Sequence, residues 1–117
     1  MTYITPSQSF LKPIVWLHSE VKSPPFSRKA RFETGYYLRQ LQRGFLLSMP
    51  HSRPMKFIGL HCHELRINDV DKTWRVMYRI DPEAVIVFEV FCKKTEQTPY
   101  EVLNACIKRL SNYDHEK

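Results

Sequence analysis

Three apolar runs in the second half of the chain show two different patterns. "LHCHELRI" (60–67) and "TWRVMYRI" (73–80) alternate apolar with polar positions, whereas "AVIVFEVFC" (84–92) is apolar at both parities. A period of two predicts strands with one buried face. A run apolar on both sides predicts a strand inside a sheet that is covered on each face. The intervening "NDVDK" and "DPE" are short and polar, so the three strands are expected to be antiparallel neighbours. Upstream, "KPIVWL" (12–17) is rich in β-branched and aromatic residues and predicts a first strand.

Between these lies a helical pattern, "SPPFSRKARFETGYYLRQLQRG" (23–44). Ser23 can cap it, prolines suit the first helical positions, and Gly44 suits its end. At 100° per residue Phe26, Ala30, Tyr37 and Leu41 share one face, and Arg28, Arg31, Arg39 and Arg43 share the other. The arginine stripe reads as a solvated face, or as a contact for phosphate or an acidic partner. Residues 45–59 hold two prolines without a sustained period and predict a long loop. "TPYE" is a capping box, Thr98 with Glu101, opening a last helix whose inner stripe is Leu103, Cys106, Ile107 and Leu110. Residues 1–11 are polar and poorly patterned, as in a mobile leader. The order β, α, β, β, β, α predicts an α+β fold: a small antiparallel sheet packed with N-terminal and C-terminal helices, in one domain over 1–117.

Charge narrows the partners. Lys and Arg outnumber Asp and Glu 18 to 12, a net +6, which suits an anionic partner such as nucleic acid. Three cysteines without a repeated spacing do not form a secreted disulfide framework. The first residues lack the basic start and apolar run of a signal peptide, and no apolar stretch reaches membrane-span length. The expectation is a cytoplasmic chain with no membrane partner. "HCH" (61–63) invites a metal reading, but alternation turns His61 and His63 away from Cys62 and no second ligand pair follows. Trp16 and Trp74 sit in apolar alternation and are expected in the core.

The polar strand positions are more informative. Alternation sets Glu64 and Arg66 opposite Leu65 and Ile67, and sets Arg75, Met77 and Arg79 opposite Trp74, Val76, Tyr78 and Ile80. If both apolar faces meet one core, Glu64, Arg66 and Arg75 gather on the other side, near Lys93 and Lys94 at the end of the next strand. That surface is cationic with one carboxylate. Cross-strand ion pairs on a solvent face would give the same pattern.

In their order along the chain, "KPIVWL", "HELRI", "TWRVMYRI" and "VIVFEVFCKKTEQTP" resemble the RelE superfamily of bacterial toxins, nearest to its HigB-like, phage-derived branch, over roughly residues 12–112. The resemblance implies a RelE-like microbial ribonuclease-type fold. It also implies cleavage of mRNA on the ribosome, and a cognate antitoxin, often a helix-turn-helix protein, as in type II toxin–antitoxin systems. Carried over residue by residue, it implies catalytic roles for Glu64, Arg66, Arg75 and Lys94, and RNA-binding roles for Lys93, Arg79 and Tyr100. Glu64 matches members that use a carboxylate there, whereas others have lysine. The chemistry suits these residue types: Glu64 would take the 2′-OH proton, Arg66 and Arg75 would hold the phosphorane, and Lys94 would serve the leaving 5′-oxygen. Neither a cofactor nor a metal is required. Two other readings stay open, a gyrase-inhibiting toxin of the same fold and a non-catalytic nucleic-acid-binding module. The carboxylate among the cations is the feature that binding alone does not need.

Overall fold

The computed structural model describes residues 11–93 and 99–116, with the backbone but not the side chain of Lys93. The expected leader, apart from Leu11, lies outside the described residues, as do Lys94 and the expected cap Thr98. In chain order the elements are β1 (Ile14–Trp16), α1 (Arg28–Gln42), β2 (Ser52–Pro54), β3 (Cys62–Asn68), β4 (Thr73–Ile80), β5 (Val85–Lys93) and α2 (Tyr100–Glu116). The strands form one sheet in the order β1-β5-β4-β3-β2.

The α+β class is as expected, with β3, β4 and β5 joined by short turns into an antiparallel meander. The sheet is mixed rather than wholly antiparallel. β1 pairs with β5 in parallel, Ile14 beside Val85, because the long connection through α1 and the meander frees it from any tight turn. The expected loop over 45–59 contains β2, which pairs with β3 so that Arg53 faces Glu64. Three residues of an edge strand ending at a proline leave no periodic trace in sequence.

Both faces of the sheet are covered, so there are two cores where sequence alternation suggested one. On one side α1 contributes Ala30, Leu38 and Leu41 against Leu65, Ile67, Trp74, Val76, Tyr78, Val85 and Val87. On the other α2 contributes Cys106 and Leu110 against Cys62, Met77, Ile86 and Phe88. β5 supplies both cores, and Val85 through Phe88 are fully buried, as a strand apolar at both parities requires. A bulge at β4–β5 puts Met77 opposite Glu89 and Tyr78 opposite Val87. The extra residue, Phe88, joins the α2-side core, and the register from Glu89 onward is shifted by one residue.

Helix boundaries show where tertiary contacts choose among local options. Ser27, not Ser23, caps α1: its Oγ accepts from the Ala30 N–H at 3.1 Å. Its own N–H donates to Asp69 Oδ2 at 3.0 Å, and the preceding Phe26 stacks on Trp74 with ring centroids 4.1 Å apart. These anchors hold the start of the helix four residues later than the first serine. At the other end Gly44, with φ of 94°, closes α1 with paired bonds from Gly44 N to Leu41 O and from Phe45 N to Gln40 O. On α2 Cys106 and Leu110 face inward as expected, but Ile107 is 40% exposed and outside the stripe. Trp74 is core. Trp16 is 40% exposed on the short edge strand β1.

Candidate functional site

The site candidates converge on the α2 side of β3 and β4. Glu64 is fully buried, and its Oε1 accepts from Arg53 Nη2 at 3.1 Å and from Arg75 Nη1 at 3.3 Å. Arg75 is itself 4% exposed, so this face of the hairpin is not the open solvent face that one-core packing implied. Arg66 is half-buried and lies directly opposite Arg75 in the register. Phe91 of β5 lies opposite Arg75 on the other flank. Two guanidinium groups thus hold one carboxylate, with Arg66 in the register position next to them.

Sequence reasoning missed Arg53, which sits in the stretch expected to be a loop. Its place depends on β2, and β2 depends on a tyrosine of the next strand but one. The Tyr78 hydroxyl is buried and shares a short hydrogen bond with Ser52 Oγ. Burial raises its pKa, and the ring stacks on His63 at 5.3 Å. Tyr78 therefore holds Ser52 against β3, and the next residue, Arg53, is brought to Glu64. In the Arg-Val-x-Tyr segment the arginine belongs to the site, and the tyrosine locks the strand that completes it.

Other sequence candidates fall elsewhere. Arg79 lies four residues along β4 from Arg75, about 13 Å at strand spacing. It is held by Asp81 (Nε to Oδ1, 2.7 Å; Nη2 to Oδ2, 2.9 Å) and by Asp114 of α2 (Nη1 to Oδ2, 3.0 Å; Nη2 to Oδ1, 2.7 Å). These carboxylates, Asp114 first, raise its pKa and commit the guanidinium to joining α2 to the sheet. The structure does not bring Arg79 to the Glu64 cluster. Tyr100, by contrast, opens α2 and is 73% exposed. Lys93 ends β5 opposite Thr73, while its side chain and all of Lys94 lie outside the described residues.

Of "HCH", Cys62 is in the α2-side core and His63 stacks on Tyr78 of the other face, while His61 precedes β3 with φ of 63°. Burial pushes the Cys62 thiol up to about 11 and that of Cys106 to about 12, which keeps both protonated and unreactive. Among the described residues no cluster of three or more His, Cys, Asp or Glu could hold a metal ion, and no helix is long and apolar enough to cross a membrane.

One family profile, described as "Phage derived protein Gp49-like (DUF891)", matches residues 25–111. The chain belongs to this family. It is a RelE-type, toxin-like family of phage derivation, and membership implies a cognate antitoxin partner. The matched span of this Gp49-like protein runs from the start of α1 into the last turns of α2, and includes Arg53, Glu64, Arg66, Arg75 and Tyr100. β1 and Asp114 lie outside it. No curated protein matches the chain at a significant level.

Proposed function

We propose that this Gp49-like protein is a HigB-like mRNA endoribonuclease toxin of a type II toxin–antitoxin system, acting on ribosome-bound mRNA in the cytoplasm. The observation that carries the reading is the buried carboxylate of Glu64 holding Arg53 and Arg75 beside Arg66. A chain that only bound RNA would gain more from cations left in solvent, since burying charge costs unless it is paired.

In this reading the 2′-OH attacks the adjacent phosphorus and the 5′-oxygen leaves, so negative charge grows on the phosphorane oxygens. Arg75 and Arg66 face that charge, and guanidinium geometry suits two such oxygens at once. Preorganised donors of this kind are worth about 10²–10³ in rate each. In this reading Glu64 is not the base: enclosed and bonded to two guanidinium groups, it orients Arg53 and Arg75, and the 2′-OH proton leaves to solvent. Lys94, in the segment after β5, serves the leaving oxygen, with Lys93 beside it on the RNA backbone. Tyr100 at the mouth of α2 stacks on a base.

The test is cleavage of mRNA in a reconstituted translation system. Products should carry a 2′,3′-cyclic or 3′-phosphate and a 5′-hydroxyl, and a 2′-deoxy substitution at the cut should abolish cleavage. Products with 5′-phosphates would overturn the mechanism. Normal growth and intact mRNA on expression of abundant, soluble protein would overturn the function.

A further inference from the structure

Away from the Glu64 cluster, α1 and the edge strand β1 enclose a groove of about 470 Å³. Ile14, Val21 and Leu38 contribute apolar surface to it, and Trp16, Phe32 and Tyr36 line it. Those three aromatic residues are 40%, 64% and 60% exposed, an unusual concentration for one surface of a small chain. Arg31 and Arg39 also line the groove, and among the described residues no acidic residue does. The Arg31 guanidinium lies 5.2 Å over the Phe32 ring. Gly35 sits between Phe32 and Tyr36 on the same stretch of helix, and a Cβ there would meet no heavy atom within 4 Å. A glycine flanked by large side chains at helical spacing makes a notch in which another helix can approach closely.

We propose that this groove is the docking site for an acidic amphipathic helix of a protein partner, which, on the reading above, is the antitoxin. Charge complementarity selects this occupant. The groove is apolar at its centre and purely cationic at its margins, so it matches a helix with an apolar stripe flanked by Asp and Glu. A second copy of this chain would bring Arg31 and Arg39 against their own kind in a two-fold interface. The groove belongs to α1 and β1, and β1 is separated from β3 by β5 and β4. α1 covers the face opposite Glu64 and Arg75. A partner helix seated here does not reach the face that carries Glu64 and Arg75, so holding the protein and inhibiting it are separable.

The experiment is calorimetric titration of the full chain, carrying Arg75→Lys so that it can be expressed alone, with the protein encoded by the adjacent gene. Phe32→Glu and Arg39→Glu should each weaken binding by roughly 30-fold or more, with the Arg39 effect shrinking as salt rises. Both positions are solvent-exposed, and circular dichroism checks that the fold persists. Introduced into the otherwise wild-type chain, the same changes should leave mRNA cleavage intact but resistant to the partner. Binding unchanged within about threefold in both variants overturns the groove while leaving the toxin reading standing. No binding to the parent chain overturns the antitoxin reading and this inference with it. Self-association abolished by Phe32→Glu, or displacement of the partner by a single-stranded oligoribonucleotide whose own binding Phe32→Glu abolishes, identifies a different occupant and overturns the proposal.

Discussion

Glu64 and Arg75 are two residues out of register across the β3–β4 pair. Glu64 faces Met77 and Arg75 faces Arg66, yet the two side chains meet on the diagonal with Oε1 3.3 Å from Nη1. The contact gives the buried Arg75 a carboxylate partner, and Arg53 completes a triad around Glu64.

Removing the shared acceptor should therefore cost stability as well as activity. Glu64→Ala leaves Arg75 buried beside other cations, and a loss of about 3–5 kcal/mol is expected in denaturant unfolding. Arg75→Lys keeps the charge but loses the planar fork, so it should fold with a little-changed midpoint while cleavage falls about 10²-fold. Full activity in Arg75→Lys would show that guanidinium geometry is not what stabilises the reaction.

Arg79 offers the opposite dissociation. Its two carboxylate partners tie β4 to the end of α2, and Asp81 is 7% exposed. Arg79→Met should lower stability by about 2–3 kcal/mol, because the Asp81 carboxylate loses both of its bonds from the guanidinium. Cleavage per folded molecule should stay unchanged. A loss of activity at unchanged stability would return Arg79 to the RNA-binding surface.

Tyr100 is exposed and its ring contributes little to the core. Tyr100→Ala should leave the thermal midpoint in place and weaken RNA binding by about 1–3 kcal/mol, roughly 5- to 150-fold. Tyr100→Phe should restore most of the affinity, since the face of the ring makes the contact. Equal loss in both variants would point to the hydroxyl instead.

Asp69 links acidity to stability. The Ser27 backbone N–H lowers its pKa most, aided by the Ser27 side chain and by the Trp74 indole N–H, 2.9 Å from Oδ2. A carboxylate depressed in the folded state stabilises the fold above the ordinary range, and that contribution is lost as pH falls below about 4. Unfolding curves of the parent and Asp69→Asn should differ near pH 6 and converge toward pH 2. A difference that stays constant across this range would show that the charge on Asp69 is not what holds α1.

How far the chain could be read depends on what each element needs. The meander of β3, β4 and β5 was legible because alternation and short polar turns are local properties, and β4 spans the run Thr73–Ile80 read from sequence. Ser27 as the cap was not, since Ser23 and Ser27 are locally equivalent and a contact with Asp69, 42 residues away, decides between them.

The site divides along the same line. Sequence alone determined that Glu64, Arg66 and Arg75 share one side of a hairpin, because a period of two sets the face of every residue once the strands are known. Only the tertiary structure decided that this side is enclosed, that Arg53 joins it through β2, and that Arg79 is turned to Asp81 and Asp114. Alternation assigns a side chain to a face but carries no information about what covers that face. Cover comes from α2, from the segment around β2 and from residues far apart in the chain, and their placement is fixed by packing two cores at once.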